Sequence, residues 1–131
     1  MSAQRKILKL ACRAELDQRA RPRPAGHSAY SGRYIIDTRQ GAVAVMFEHS
    51  DRVPANLWLA TRDVAGLTLP AVESEHYPVS ACWQKKNARG EALYGRHSNL
   101  LQMPELAKAD LIKITLESPQ QLRSILTALG A

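Results

Sequence analysis

Apolar side chains occupy every second position between residues 6 and 17, with charged or small residues between them. On a strand, where side chains alternate between the two faces, this pattern makes one apolar and one polar face. On a helix the same positions would scatter around the cylinder. The pattern therefore predicts a half-buried first strand whose solvent face presents Lys9 and Arg13. Its apolar face would consist of Leu8, Leu10, Cys12, Ala14 and Leu16.

Residues 20–32 (ARPRPAGHSAYSG) differ in composition from the segments on either side. They contain two X-Pro steps and two glycines, which disfavour a helix and remove donors from a strand ladder. We expect a loop or an extended crossing arm here.

The clearest unit of the chain is a β-hairpin. Arg33–Thr38 and Ala42–Glu48 are rich in β-forming residues and are separated by a short connection that contains Gly41. The second run is apolar on both faces, which predicts a strand in the interior of the sheet. After a turn, Leu57–Arg62 predicts a further strand.

The remaining middle of the chain carries weaker patterns. Residues 63–78 contain two prolines and a glycine and predict mostly loop. Residues 79–84 and 91–96 predict a second hairpin around a polar connection. A proline at the first position favours a short helical turn at 104–109, and residues 111–117 predict a strand.

The last segment of the chain predicts a helix. Ser118 at the N-cap, Pro119 at the first helical position and Gln121 at the third form a capping-box pattern. The apolar residues that follow recur at helical spacing, so this stripe is expected to pack on the sheet. They are Leu122, Ile125, Leu126 and Leu129.

These elements together predict an α+β fold. Strands come first and a helix last, which indicates a mainly antiparallel, curved sheet or partial barrel of about six to seven strands with the C-terminal helix packed on it. A doubly wound parallel sheet would need helical crossovers that are not predicted. The length of 131 residues and the 45% hydrophobic content fit a single domain over 1–131, with a basic N-terminal strand and a Pro-rich arm at 1–32.

The apolar runs and the cysteines of the sequence bear on the cellular location of the protein. The longest apolar run, Ala42–Phe47, is far short of the roughly 20 residues that cross a bilayer. Lys9 and Arg13 interrupt the only apolar run near the N-terminus, so no signal peptide is expected. Cys12 and Cys82 show no metal-binding or disulfide-framework spacing. We therefore expect no membrane span, reduced thiols and a cytoplasmic location.

The net charge of +6 is concentrated at the N-terminus. Residues 1–24 carry seven basic and two acidic side chains, a balance of +5, whereas the other 107 residues carry 11 basic and 10 acidic ones. Such a segment favours a polyanion such as nucleic acid. The alternatives are a solvated charged face or, less favoured, a transit peptide. The candidate anion-binding residues of this segment are Lys6, Lys9, Arg13, Arg19, Arg21 and Arg23.

The loop at residues 95–99 has the densest set of chemically useful side chains. Gly95 permits departure from strand geometry, and Arg96, His97, Ser98 and Asn99 supply a cation, an imidazole, a hydroxyl and an amide. Arg96, Ser98 and Asn99 could hold an anion, and His97 with Arg96 could act as the catalytic pair. The alternative is a strand-exit loop whose polar residues cap the next turn.

Other chemistry is weakly indicated. The four histidines form no HxH or HxxxH pair, and no nucleotide-binding or hydrolase fingerprint is present, so we predict no metal site and no cofactor. Asp37 and Glu48 occupy neighbouring predicted strands, and His49 follows Glu48 directly, so the three could meet near a strand end and bind a metal or act as a base. One of them could also orient His97. Trp58 is expected in the core rather than on a base-stacking surface, and the same expectation holds for Trp83, Tyr34 and Tyr94.

Three functions remain open on the sequence alone. The first is a non-enzymatic binding domain for an anionic partner, with nucleic acid as the foremost candidate. The second is an oligomerising or accessory module, in which the predicted first strand pairs with a protein partner or a second copy. The third is a small hydrolase or nuclease-like enzyme that uses the loop at 96–99.

Overall fold

The computed structural model describes residues 3–24, 26–50 and 52–131. The fold is α+β, with a mainly antiparallel sheet and a C-terminal helix, as the sequence predicts. In chain order the elements within those ranges are α1 (Ala3–Arg19), β1 (Arg21–Pro22), β2 (Ser31–Thr38), β3 (Gly41–Glu48), β4 (Ala55–Ala60), α2 (Thr61–Val64), β5 (Glu73–Tyr77), β6 (Lys85–Lys86), β7 (Ala92–Leu93), α3 (Pro104–Ala107), β8 (Leu111–Leu116) and α4 (Pro119–Leu129).

Six strands form one antiparallel sheet in the order β1-β2-β3-β4-β8-β5. The sheet is open: β1 and β5 lie at its two edges and do not pair to close a barrel. The predicted hairpin is β2 and β3, with Ser31 opposite Glu48 at one end and Thr38 opposite Gly41 at the turn. The prediction that β3 lies inside the sheet is confirmed, because Val45 and Met46 point to opposite faces and both are 0% exposed.

The first element is a helix, so the predicted N-terminal strand is wrong. The alternating positions include Leu8, Cys12 and Leu16, which also recur every fourth residue and line one face of a helix. Cys12 and Leu16 are fully buried, whereas Leu10 is 59% exposed, as a helix requires. Residues 3–19 contain no glycine or proline and only one β-branched residue, so helix propensity favours the same outcome.

The C-terminal helix α4 forms as predicted. The Ser118 hydroxyl accepts a hydrogen bond from the backbone N–H of Gln121 at 3.3 Å, and the Gln121 side chain accepts one from the N–H of Glu117 at 2.7 Å. Gly130 ends the helix in the left-handed conformation, at φ 91°. None of the helices in the described ranges combines the length and apolarity that a bilayer crossing requires.

Each face of the sheet has its own cover. Helices α1 and α4 pack on one face, around Tyr34, Phe47 and Leu57. The opposite face is covered by the segment that runs from residue 94 to residue 109, which includes a 3-10 turn at Ser98–Gln102 and the short helix α3. The residues from this segment that pack against β3 and β4 are Leu100, Met103 and Leu106.

The region between β4 and β8 differs most from the sequence prediction. Residues 65–72 form a loop, as predicted for most of the 63–78 segment, but residues 73–77 form β5, an unpredicted strand that pairs with β8 at the edge of the sheet. The second hairpin is shorter than predicted and shifted: β6 and β7 contribute two residues each, and residues 79–81 form a 3-10 turn. Trp58 lies in the core as expected, but Trp83 lies outside any strand and is 45% exposed.

Candidate functional site

A basic cleft lies beside α1 at the end of the sheet where Ser31 and Glu48 pair. It is bounded by one face of α1, the loop at 27–30 that precedes β2, and residues 49–50 that follow β3. Its volume is about 550 Å³. We call this surface the basic cleft. Its lining residues are Lys6, Lys9, Leu10, Arg13, His27, Ser28, Ala29, Tyr30, His49 and Ser50.

Helix geometry brings three of the predicted anion-binding residues together. Lys6, Lys9 and Arg13 are spaced three and four residues apart, which at about 100° per residue places them within about 60° on one side of α1. On the predicted strand, Lys6 would have faced the opposite way from the other two. The predicted strand therefore grouped only Lys9 and Arg13, whereas the helix adds Lys6 to the same side.

Lys9 is the most deeply recessed of these cations. Its side chain is only 3% exposed, and its ammonium group donates a hydrogen bond to the backbone carbonyl of Ser50. A buried charge is tolerated only with such partners. This contact also joins α1 to the chain that leaves β3, so Lys9 contributes to the wall of the cleft as well as to its charge.

Hydrogen bonds fix the loop at 27–30 that forms another wall. The Ser28 hydroxyl accepts from the backbone N–H groups of Tyr30 and Ser31 at 3.2 and 3.0 Å. The N–H of His49 donates to the carbonyl of Tyr30 at 3.1 Å, which holds this loop against the end of β3. The backbone around Tyr30 is thus anchored on both sides, while its side chain is 62% exposed.

The two cleft histidines have different hydrogen-bond roles. His27 Nδ1 accepts the backbone N–H of Arg33 at 2.9 Å, so its proton lies on Nε2. His49 Nε2 lies 3.0 Å from the carbonyl of Ser28 and must donate to it, which leaves Nδ1 with a lone pair in the neutral ring.

Both cleft imidazoles are held in the neutral form at pH 7. Partial burial lowers the pKa of His27 below its usual 6.5, with Arg13 and Arg33 acting in the same direction and Asp17 opposing them. Burial also lowers the pKa of His49, and the charge of Arg13 adds to the effect. A bound anion would raise both pKa values, because it favours the protonated ring.

The other predicted cations of the N-terminal segment lie outside the cleft lining and contact other parts of the molecule. Arg21 forms a bidentate contact with Asp37, at 2.8 and 3.1 Å. Arg23 pairs with Glu105. Arg19 donates to the carbonyl of Ala131 at 3.0 Å and so ties the end of α1 to the C-terminus. The structure therefore does not bring these three together with the cations of the basic cleft.

Arg96 is a buried residue that holds backbone segments together. Its guanidinium donates to the carbonyls of Tyr77 at 2.8 Å, Ala107 at 3.2 Å and Leu106 at 3.4 Å. With a residue exposure of only 8%, this group faces protein rather than an open surface. Its hydrogen bonds therefore link the end of β5 to α3.

His97 meets Glu48, one of the three partners considered from the sequence. Its Nε2 lies 3.5 Å from the Glu48 carboxylate, which also accepts from the indole N–H of Trp58 at 3.0 Å. Its Nδ1 accepts the backbone N–H of Asn99 at 3.1 Å. Both ring nitrogens are therefore engaged within the protein, whereas a general base needs one that faces a substrate.

Asp37 lies at the other end of the hairpin from Glu48. It is opposite Ala42, next to the turn, and six residues along β2 from Ser31, a separation of about 20 Å on an extended strand. The expectation that Asp37 meets Glu48 and His49 is therefore wrong. Glu48 and His49 are neighbours in sequence, but Glu48 contacts Trp58 and His97 while His49 lines the cleft.

Asn99 connects the loop at 95–99 to the wall of the cleft. Its amide donates to the hydroxyls of Ser28 and Ser31, at 2.5 and 2.9 Å. Ser98 is exposed at the start of the 3-10 turn. Of the four predicted residues in this loop, Asn99 is thus the one that contacts a residue of the basic cleft.

Seven of the ten residues that line the cleft were not identified as anion-binding residues from the sequence, and four of them carry polar or aromatic side chains that matter most here. His27, Ser28 and Tyr30 belong to the Pro-rich arm, and His49 follows β3. The available signal was the polar GHSAYSG stretch at 26–32, directly before a strong strand. In an antiparallel hairpin the start of the first strand and the end of the second are adjacent, so these two flanking loops had to meet.

Neither a cluster of metal ligands nor a similar known protein indicates a function for this cleft. Within 3–24, 26–50 and 52–131, no three His, Cys, Asp or Glu side chains cluster in a way that could hold a metal ion. No protein-family model, curated protein or solved structure matches the chain. The basic cleft is therefore the feature of the described residues that points to a function.

Proposed function

We propose that this protein is a small non-enzymatic binding domain for a polyanion, with nucleic acid as the foremost candidate. The observation that carries the proposal is the convergence of Lys6, Lys9 and Arg13 on one concave surface. Cations grouped in this way release counterions from a phosphate backbone, which is the main source of affinity for nucleic acids. A cytoplasmic setting agrees with Cys12 and Cys82, which are both buried free thiols.

The shape of the site supports binding through several contacts at once. The cleft combines cationic side chains with neutral donors, including the Nε2–H of His27. Charge-assisted and neutral hydrogen bonds of this kind are the usual contacts to phosphate oxygens. Its volume of about 550 Å³ lies within the 300–1,000 Å³ range of small-ligand sites.

The enzyme hypothesis has weaker support. The side chain proposed as acid or base, His97, has both nitrogens engaged, and the side chain proposed to stabilise charge, Arg96, donates to backbone carbonyls. Glu48 does approach the imidazole, but this contact joins the 94–109 segment, to which His97 belongs, to the end of β3. This arrangement favours a structural role for the loop.

The oligomerising-module hypothesis also has weaker support, because its premise was an N-terminal edge strand. That segment is α1, which packs on the sheet instead of extending it. The long exposed edge of the sheet is β5, which carries Glu73, Glu75 and His76. Charged side chains on an edge strand discourage pairing with another chain.

Fluorescence anisotropy with labelled 20-nucleotide DNA and RNA at 50 mM NaCl tests the proposal. We expect the double variant Lys6→Ala, Arg13→Ala to bind at least about tenfold more weakly, because two phosphate contacts are lost. Lys9 is left intact because its contact with Ser50 supports the fold. The matched control is Lys85→Ala, Lys86→Ala, which removes the same charge from exposed residues outside the cleft. No binding by the wild-type chain, or equal losses in both variants, would refute the proposal.

A further inference from the structure

We infer that the basic cleft accepts single-stranded nucleic acid in preference to a duplex, with backbone phosphates among its cations and a base stacked on Tyr30. This inference rests on the proposed function and specifies the form of its ligand. Three observations carry it: the exposure and anchoring of Tyr30, the recessed position of the cations, and the side chains that α1 presents to solvent.

Tyr30 is placed as a stacking platform at the cleft. It is 62% exposed although tyrosine is a largely apolar residue, and it lines the same cavity as Lys6 and Arg13. Its backbone is held by Ser28 and His49, so little backbone entropy is lost when a base packs on the ring. An aromatic ring next to cations is the usual arrangement in single-strand binders, because every base has a face that can stack.

Two of the three cleft cations are recessed, which suits a flexible strand better than the backbone of a rigid duplex. Lys9 is 3% exposed, Arg13 is half-buried, and both line a concave surface. A flexible single strand can turn a phosphate into such a cleft and splay the adjacent base outward. A regular duplex holds its phosphates on a convex surface with the bases stacked inside, which leaves no base for Tyr30.

The exposed face of α1 does not suit the major groove. A helix that reads a duplex presents basic and polar side chains outward. In α1 the exposed positions include Ile7 at 67% and Leu10 at 59%, followed by Ala14 and Asp17. Lys6 is an exposed cation, but the other two cleft cations of this helix point into the cleft.

Leu10 extends the apolar part of the cleft beside the cations. It lines the cleft together with Tyr30, and both side chains are more than half exposed. A base that stacks on Tyr30 would cover part of this apolar surface, whereas a sugar-phosphate backbone alone would not. The apolar and cationic parts of the cleft therefore match the two parts of one nucleotide.

The experiment compares a 12-nucleotide single strand, its duplex and a nucleoside monophosphate at one salt concentration. We expect the single strand to bind at least tenfold more tightly than the duplex, and the monophosphate to compete only at far higher concentration. Tyr30→Ser should weaken single-strand binding about five- to hundredfold, the range for loss of a stacking aromatic ring. Tyr30→Phe, which keeps the ring, should bind like the wild type.

The control is Trp83→Ser, which removes another exposed aromatic ring outside the cleft and should leave affinity unchanged. Equal affinity for duplex and single strand, unchanged binding by Tyr30→Ser, or a monophosphate that binds as tightly as the strand would overturn this inference. Each of those results leaves polyanion binding in place. Failure of all three ligands to bind at low salt would instead refute the proposed function.

Discussion

The two histidines of the basic cleft respond differently to a proton. Protonation of His27 at Nδ1 would break the hydrogen bond it accepts from the backbone of Arg33. His49 already donates from Nε2 to Ser28, so a proton on Nδ1 adds a donor without breaking that bond. His49 is thus the residue at which anion binding and protonation can be coupled most directly.

We predict that single-strand affinity rises as the pH falls from 7.5 to 5.5. Burial and the charge of Arg13 lower the pKa of His49 in the free protein, and a bound phosphate raises it. Because the bound phosphate favours the protonated ring, we expect affinity to rise by up to about tenfold as the pH falls through this range. The groups that face this imidazole are Arg13 from α1, His27, and the backbone of Ser28 and Ala29.

The measurement is anisotropy at five pH values with the wild type and with His49→Gln, which can still donate to the carbonyl of Ser28. Its affinity should vary little over this range. His76→Gln, at an exposed position on β5, is the control and should keep the wild-type slope. The same slope in His49→Gln as in the wild type would show that another group carries the coupling.

At the scale of elements, α1 shows why a two-residue period can mislead. Leu8, Cys12 and Leu16 satisfy both an alternating pattern and a spacing of four, because four is a multiple of two. Helix propensity distinguishes the two interpretations, since the segment consists mainly of Ala, Leu, Lys, Arg, Gln and Glu.

We predict that Ala14→Val destabilises the protein by about 0.5 kcal/mol and Ala14→Gly by about 1 kcal/mol. Ala14 is exposed on α1, so the change tests backbone preference rather than packing. In a strand the β-branched valine would be favoured over alanine. Urea unfolding measures the effect, and Ser74→Val, at an exposed position of β5, should be neutral or stabilising. A more stable Ala14→Val variant would contradict a helical α1.

The elements that were predicted well carry strong local signals. The capping residues Ser118 and Gln121 define α4, and the uninterrupted apolar run of β3 defines an interior strand. Strand β5 was missed because its sequence, ESEHY, is polar and exposed, and its conformation depends on pairing with β8 nearly 40 residues later. Such long-range pairing is not encoded in local propensity.

At the scale of the whole molecule, three of the six N-terminal cations predicted to bind an anion lie at the candidate site in the structure. Lys6, Lys9 and Arg13 line one cleft, and the excess positive charge at the N-terminus had indicated that region. The other predicted cations are Arg19, Arg21 and Arg23, and their partners lie between 16 and 112 residues away in sequence. A charge count cannot show which cations a fold uses internally.

This division of the cations determines how binding should depend on salt. For a single strand the logarithm of the binding constant falls with the logarithm of the salt concentration, with a slope of about −0.7 per neutralised phosphate. The three cations of the basic cleft therefore give a slope of about −2. If all six predicted cations of the N-terminal segment bound phosphates, the slope would be about −4.

We expect a slope near −2 between 50 and 300 mM NaCl at pH 7.5, where burial, which lowers the pKa values of His27 and His49, disfavours a contribution from their protonated forms. Arg21→Ala should leave this slope unchanged, because Arg21 pairs with Asp37 and does not line the cleft. Lys6→Ala should make it shallower by about 0.7. A wild-type slope near −4, or a shallower slope in Arg21→Ala, would mean that the whole N-terminal segment contacts the polyanion and that its intramolecular ion pairs open on binding.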